Sequence, residues 1–149
     1  MHPTRAANPF KSYRQISTQT APPGQLVLML FDGALKSLDC ALVGFQADDF
    51  AERNATVQNH LGRATDIVRE LNNSLDLAAG GELADTLRNL YGYFERRLTE
   101  SNFQKSPDGV REVQPLLKEI RDAWFAMLAQ ESGGASAPQK FSAPRFAVP

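Results

Sequence analysis

The sequence predicts an all-α protein that folds as an antiparallel, up-down four-helix bundle. Apolar residues recur at intervals of three and four along the body of the chain and nowhere alternate with the period of two that marks a strand. The chain has 149 residues, of which 42% are hydrophobic, which is enough for one domain with its own core. Four segments show this helical spacing of apolar residues and are joined by short links, so neighbouring helices should run antiparallel.

The first two predicted helices have recognisable starts. The first runs from about Pro23 to Gln46, and proline suits a first turn because the amide that it lacks has no partner there. The second begins near Asp48, whose carboxylate is a common helix cap. We expect it to continue until the pair Gly80–Gly81 stops it.

The last two predicted helices are separated by a turn sequence, Ser106-Pro107-Asp108-Gly109. The third helix carries an apolar stripe from Leu83 and ends near Asn102, and the fourth continues to about Leu128. Pro115 lies inside the fourth helix, where proline removes a hydrogen bond and costs about 3 kcal/mol. We therefore expect a kink at Pro115 or a helix that starts after it.

Charge and composition divide the chain into three parts. Residues 20–131, the predicted bundle, hold 11 basic and 17 acidic residues, a net charge of −6. Residues 1–19 carry a net charge of +3, and their apolar residues would share one face in a short helical cap segment. Residues 132–149 carry a net charge of +2. They are rich in Gly, Ala, Ser and Pro, which predicts a disordered tail. The acidic body argues against nucleic-acid binding, which needs a concentrated basic face.

The tail contains a basic-Phe-x-x-Pro unit written twice, at 140–144 and at 145–149. Two interpretations remain open for this tandem. It is either a chance feature of a low-complexity segment or a weak docking motif.

The sequence favours a cytoplasmic protein that is not inserted in a membrane. Charges interrupt every apolar run before it reaches the length of a membrane span, and the first ten residues lack the apolar core of a secretion signal. The single cysteine, Cys40, fits a reducing compartment.

The chain offers little that would support catalysis, so we predict a protein that is not an enzyme and has no metal and no cofactor. His60 has no glutamate three residues before it, and together with Cys40 it would supply only two metal ligands. A polar residue at the edge of the core is the better interpretation of His60.

The first predicted helix carries more apolar surface than a bundle helix requires. Its main apolar face covers about 160°, whereas an arc of a little over 100° is sufficient. A second, shallower face holds small and apolar residues: Leu26, Met29, Gly33, Cys40 and Gly44. This face is either a groove for another protein's helix or the packing surface of a central helix that contacts two neighbours and the docked N-terminal segment.

The third predicted helix contains the cluster 90–98, in which Gly92 interrupts apolar and aromatic residues. Glycine costs about 1 kcal/mol relative to alanine in a helix, so we expect another backbone to approach closely at Gly92. Tyr93 lies off the apolar stripe and is either a partner contact or an ordinary exposed tyrosine. Arg96 and Arg97 are expected to form solvated ion pairs.

Several strings in this sequence resemble the flagellin export chaperone family (FliS). They cover residues 8–128 in order and comprise Asn8-Pro9-Phe10-x-x-Tyr13, TAPPGQLVLMLFDGAL (20–35), IVRELNNSLD (67–76), LYGYFERRLTESN (90–102) and Trp124. One departure is Pro22-Pro23-Gly24-Gln25, where the family usually has a capping hydroxyl before its proline.

The resemblance implies a cytoplasmic chaperone whose partner is the C-terminal segment of flagellin. It implies that this segment binds in apolar grooves, that premature polymerisation is prevented and that the subunit reaches the type III export apparatus. The alternative is a helical adaptor for another flagellar or regulatory protein, and export-gate components or flagellar regulators are further candidate partners. We expect a monomer or a weak homodimer.

The resemblance also implies which residues contact flagellin. Tyr13 and Ile16 correspond to a mobile N-terminal cap that covers a groove in the free protein. The other implied contacts come from the first and third helices: Leu26, Met29, Leu30, Gly33, Leu90, Tyr91 and Tyr93.

Overall fold

The computed structural model describes the backbone of residues 22–132 and the side chains of all of these except residues 77–79 and 132. This part of the chain forms four antiparallel helices: α1 (Pro23–Gly44), α2 (Phe50–Asn73), α3 (Leu77–Gln104) and α4 (Asp108–Ser132). The predicted fold class is confirmed. The predicted cap segment, residues 1–19, and the tail beyond Ser132 lie outside the described residues.

The helices form a square arrangement. Both α1 and α3 pack against α2 and α4, so α1 and α3 lie diagonally across the bundle. The core takes its fully buried large side chains from all four helices: Phe31, Leu38, Leu61, Val68, Leu71, Phe94, Leu98, Val113 and Leu117. Burying one side chain of this size contributes about 1.5–3 kcal/mol relative to leaving it exposed, so the apolar stripes stabilise the bundle.

Helix α1 begins without a side-chain cap. Pro23 occupies the first turn, as predicted, and the preceding Pro22 offers no side chain that could accept a hydrogen bond. The Pro22 carbonyl accepts hydrogen bonds from the amides of Gln25 and Leu26. Trp124 of α4 donates its indole N–H to the Gly24 carbonyl at 3.0 Å, which fixes the start of α1 against the end of α4.

Helix α2 differs from the prediction at both ends. Its cap is Asp49 and not Asp48, since Asp49 Oδ2 accepts a hydrogen bond from the Glu52 amide at 2.8 Å. The helix ends at Asn73, before Gly80–Gly81, and the Ser74 hydroxyl donates to the Leu71 carbonyl at 2.8 Å. Asparagine and serine end helices in this way because their short polar side chains compete for backbone hydrogen bonds.

Helix α3 has an irregular start and a well-defined end. Gly81 has φ 56° and ψ −135°, a conformation that favours glycine, and it separates the first turn from the rest of the helix. At the other end Lys105 adopts φ 53°, and the Ser106 amide donates to the Ser101 carbonyl at 3.0 Å. This is the hydrogen bond of a Schellman termination.

Helix α4 begins at Asp108 and continues through Pro115. Of the two alternatives predicted at Pro115, a helix that starts after it is therefore wrong. Pro115 and Arg111 are both exposed, so water can reach the Arg111 carbonyl that proline leaves without an amide partner.

Candidate functional site

An apolar cavity of about 330 Å³ opens at the end of the bundle where α1 and α3 begin and α2 and α4 end. Apart from the aromatic residues Tyr91 and Trp124, only two of its lining residues, Ser74 and Asp76, have polar side chains. The cavity is lined by Val27, Phe31, Leu71, Ser74, Leu75, Asp76, Gly80, Leu83, Ala84, Leu87, Tyr91, Ile120 and Trp124. Such a surface can bind an apolar side chain but offers no set of groups for catalysis.

Tyr91, one of the predicted contact residues, forms part of the cavity wall and of the core. It is only 2% exposed, and its ring meets Phe94 edge-on with 6.4 Å between the ring centres. Burial raises the pKa of Tyr91 well above its ordinary value, so the phenol stays neutral at physiological pH. Tyr91 thus acts as an uncharged wall residue.

The four predicted contact residues on α1 differ in exposure. Leu30 is 6% exposed and belongs to the core, whereas Leu26, Met29 and Gly33 are half-buried. A partner that meets an intact bundle can therefore touch Leu26 and Met29 but has little access to Leu30.

The shallow face predicted on α1 is covered in part by α2. A Cβ atom on Gly33 would lie 3.4 Å from Ile67 Cδ1, and one on Gly44 would lie 2.7 Å from Thr56 Cγ2. At these two positions the glycines allow α2 of the same chain to approach. This agrees with the interpretation of the shallow face as a packing surface of α1 within the bundle. Leu26, Met29 and Cys40 remain half-buried along this boundary, and we call Leu26, Met29, Gly33 and Cys40 the α1 edge.

Acidic side chains of α1 lie on its opposite side, towards α4. Arg121 Nε donates to Asp32 Oδ1 at 2.8 Å, and Gln114 Nε2 donates to Asp39 Oδ1 at 2.6 Å. The α1 edge itself carries no carboxylate or ammonium group. It is therefore a narrow apolar strip on an otherwise acidic bundle.

Two further predicted contact residues lie on α3. Leu90 is half-buried against the core, and Tyr93 is half-buried on the side that faces α4. Tyr93 donates its hydroxyl to Glu112, which also accepts from Arg97 Nε at 2.6 Å. These hydrogen bonds lower the pKa of Glu112, and the bond to Glu112 raises the pKa of Tyr93.

Gly92 has no other backbone close to it among the described residues. A Cβ atom there would meet only the guanidinium of Arg96 on the same helix, at 3.9 Å. The described residues therefore do not supply the close backbone approach that we expect at Gly92. Arg96 lies over the Tyr93 ring, 5.7 Å from its centre, while Arg97 forms the predicted ion pairs, with Glu100 and Glu112.

The predicted contact residues do not form one patch. The α1 edge borders α2, Tyr93 borders α4, and α1 lies diagonally across from α3. At one end of the bundle, residues of both helices line the cavity, where Phe31 and Tyr91 face the same space. Tyr13 and Ile16 lie outside the described residues.

Sequence reasoning missed most of the cavity wall as a candidate site. The helical spacing of Leu75 and Leu83 is that of ordinary core positions, and Trp124 belongs only to the family resemblance. One signal in the sequence could have indicated the cavity: Trp124 lies near the end of the last predicted helix, which in an antiparallel bundle is close to the start of the first helix.

The described residues contain neither a membrane-spanning helix nor a cluster of metal ligands. Within residues 22–132, no helix is long and apolar enough to cross a membrane. The same region brings together no group of three or more His, Cys, Asp or Glu side chains that could hold a metal ion. His60 is half-buried, as expected for a residue at the edge of the core.

Comparison with known proteins identifies the family. A family model described as Flagellar protein FliS matches residues 6–131. The chain belongs to the FliS family of flagellar secretion chaperones. This membership confirms the resemblance seen in the sequence, and it confirms that the chain is not an enzyme.

Three FliS relatives illustrate the similarity, and each is named flagellar secretion chaperone FliS. The Bacillus subtilis protein is 34% identical over 124 residues, which cover 83% of this chain and 89% of the relative. The Salmonella typhimurium protein is 35% identical over 123 residues, covering 79% and 88%. The Escherichia coli protein is 34% identical over 132 residues, covering 85% and 94%.

Proposed function

We propose that this FliS-family chain binds the C-terminal segment of flagellin in the cytoplasm, prevents its premature polymerisation and delivers it to the type III export apparatus. Membership of a family of flagellar secretion chaperones supports this role. The diagonal placement of the two implied contact regions, on α1 and α3, is the structural observation that favours a disordered partner.

A partner that touches both regions has to pass around the bundle. A single rigid helix cannot run along the sides of both α1 and α3 because α2 and α4 separate them. A disordered segment can follow the surface and place short apolar stretches where the chaperone offers them. The contact set implied by the resemblance and the observed topology therefore both suit flagellin's C-terminal segment.

The α1 edge supplies the apolar part of the contact. Leu26 and Met29 are half-buried, so a partner can remove their remaining surface from water without disturbing the core. Each Å² of apolar surface removed contributes about 25 cal/mol. The cost of ordering the partner offsets part of this gain.

The N-terminal segment is long enough to reach the α1 edge. Tyr13 and Ile16 lie ten and seven residues before Pro23, the first residue of α1, and the six residues from Ile16 to Pro22 span at most about 20 Å when extended. In our proposal this segment covers the α1 edge until flagellin displaces it.

Met29→Glu is the substitution that tests this site. It places a charge on the half-buried α1 edge, and we expect it to weaken binding of the flagellin C-terminal segment by at least about tenfold, because a charge is costly to bury without a partner. The same change at Leu30 is unsuitable, since that side chain is only 6% exposed and the charge would disrupt the core.

Asp122→Ala is the control, since Asp122 is an exposed residue of α4 that pairs with Lys118 and Arg121. Binding is measured by isothermal titration, and far-UV circular dichroism verifies that each variant is folded. Equal affinities for the wild type, Met29→Glu and Asp122→Ala would overturn the proposed site.

A further inference from the structure

The apolar cavity lies at the end of the bundle where α4 ends and the C-terminal tail begins. Trp124, which lines the cavity, lies in the last part of α4, and α4 leads directly into residues 133–149. The tail lies beyond residue 131, where the match to the FliS family ends. Its purpose is therefore not explained by the family's function.

We propose that the tail folds back onto the bundle and inserts the phenyl rings of Phe141 and Phe146 into this cavity. The tail is an intramolecular ligand, and its two basic-Phe-x-x-Pro units are two copies of one docking element. This inference does not depend on flagellin binding.

The size of the cavity fits aromatic rings. An apolar protein cavity of about 150 Å³ is large enough to bind benzene. The cavity here, at about 330 Å³, has roughly twice that volume. It therefore has room for one phenyl ring with some freedom, or for two rings packed together.

The chemistry of the wall also favours phenylalanine. The indole N–H of Trp124 already donates to the Gly24 carbonyl at 3.0 Å, so this side chain is fixed and offers the cavity an apolar surface. A phenyl ring needs no hydrogen-bond partner when it is buried, whereas a tyrosine such as Tyr13 brings a hydroxyl that usually does. Phe141 and Phe146 of the tail are therefore suited to this cavity.

The length of the tail is sufficient. Ser132 lies about 12 Å beyond Trp124 along the helix, at 1.5 Å per residue. The nine residues from Ser132 to Phe141 span up to about 30 Å, and those to Phe146 span more. Both rings can therefore reach the cavity after the chain reverses direction.

Charge and backbone stiffness support the docked state. Lys140 and Arg145 each precede a phenylalanine, while residues 20–131 carry a net charge of −6 and Asp76 lies on the cavity wall. Pro144, between the two phenylalanines, restricts the free tail and so reduces the entropy that docking costs.

The single tryptophan of the chain makes the test direct. In the full-length protein, Phe141→Ala/Phe146→Ala should move the Trp124 fluorescence maximum to longer wavelength and increase quenching by acrylamide, because water enters the cavity. Phe103→Ala is the matched control, since it removes a ring that is 88% exposed near the opposite end of the bundle, and it should leave the emission unchanged.

Nuclear Overhauser effects identify the occupant in the same full-length protein. Contacts between the Trp124 indole and the rings of Phe141 or Phe146, independent of protein concentration, are the expected result. Contacts to Tyr13 or Ile16 would assign the cavity to the N-terminal segment and overturn the proposal. Contacts that appear only as the protein concentration rises would assign the cavity to a second copy of the chain and would also overturn the proposal. An unchanged Trp124 emission in the double variant would show that the tail does not dock, and this result would overturn the proposal as well.

Discussion

Tyr93 of α3 donates its hydroxyl to Glu112 of α4 across a distance of 2.5 Å. Arg97 binds the second carboxylate oxygen of Glu112 at 2.6 Å, so one acidic side chain joins two residues of the neighbouring helix. Tyr93 was predicted from the sequence as a flagellin contact. In the free protein this residue also links α3 to α4.

The first prediction concerns the pH dependence of this link. The hydrogen bonds from Tyr93 and Arg97 hold the pKa of Glu112 below its ordinary value. A lowered pKa in the folded state contributes stability that is present above the unfolded pKa and is lost as the pH falls through the folded value. Tyr93→Phe should therefore lower the urea midpoint at pH 7, and the difference from the wild type should shrink below about pH 4.

The measurement is urea unfolding of both proteins at pH 7 and at pH 3. Glu112→Gln, which cannot ionise, should show the same loss of pH dependence. A difference between wild type and Tyr93→Phe that is as large at pH 3 as at pH 7 would show that Glu112 is not the titrating partner.

The second prediction concerns Gly109, where α3 and α4 are close together. A Cβ atom on Gly109 would lie 2.5 Å from the Arg97 carbonyl oxygen and from the Ser101 hydroxyl, so the helices would have to separate. Gly109→Ala should lower the free energy of unfolding by about 1–3 kcal/mol. Gly62→Ala, at a helical position with nothing within 4 Å, should raise it by up to about 1 kcal/mol. Equal effects in urea unfolding would contradict the close α3–α4 contact.

The third prediction separates stability from binding at Gly92. Packing among the described residues does not require glycine at this position, because a Cβ atom would meet only Arg96 at 3.9 Å. Gly92→Ala should raise the free energy of unfolding by about 1 kcal/mol, since alanine favours the helix. If Gly92 lets flagellin approach α3, the same change should weaken binding of flagellin's C-terminal segment.

Gly62→Ala is again the control, with a similar gain in stability and unchanged affinity. Both quantities are measured on the same preparations, by urea unfolding and by titration calorimetry. An unchanged affinity in Gly92→Ala would remove this part of α3 from the proposed contact.

The fourth prediction concerns His60. Burial, and secondarily the charge of Arg63, lower the pKa of His60 below its ordinary value of 6.5. The folded state therefore disfavours the charged imidazole, and the associated stability is present above pH 6.5 and is lost as the pH falls through the lower folded value. His60→Gln should reduce the loss of stability between about pH 7 and pH 5.

Thermal unfolding across this pH range measures how stability depends on pH. Comparison with His2→Gln shows which of the two histidines causes the dependence. A wild-type slope that persists in His60→Gln would contradict the assignment.

The sequence predicted the helices well because apolar spacing reports which face of a helix is buried. The boundary of α2 was harder to predict. Leu71 and Leu75 are four residues apart and so continue a helical pattern, yet the chain turns at Ser74, whose hydroxyl bonds to the Leu71 carbonyl. The periodicity of side chains did not reveal this local competition for a carbonyl group.

The candidate site was predicted less completely than the fold. The resemblance supplied residue positions, but it did not indicate that Leu30 and Tyr91 are only 6% and 2% exposed. It also could not show that α1 and α3 are diagonal, because that relation depends on how four similar helices are arranged. The cavity at the end of the bundle arises from this arrangement and from the turn between α2 and α3.

In our proposal this chain binds the C-terminal segment of flagellin. Titration calorimetry of the full-length protein with that segment at two temperatures tests it most directly. We predict a one-to-one complex with a Kd of about 1 μM or lower and a negative heat-capacity change, as expected when apolar surface is buried and a disordered partner folds. The absence of binding heat at both temperatures, together with unchanged circular dichroism of the mixture, would contradict the claim.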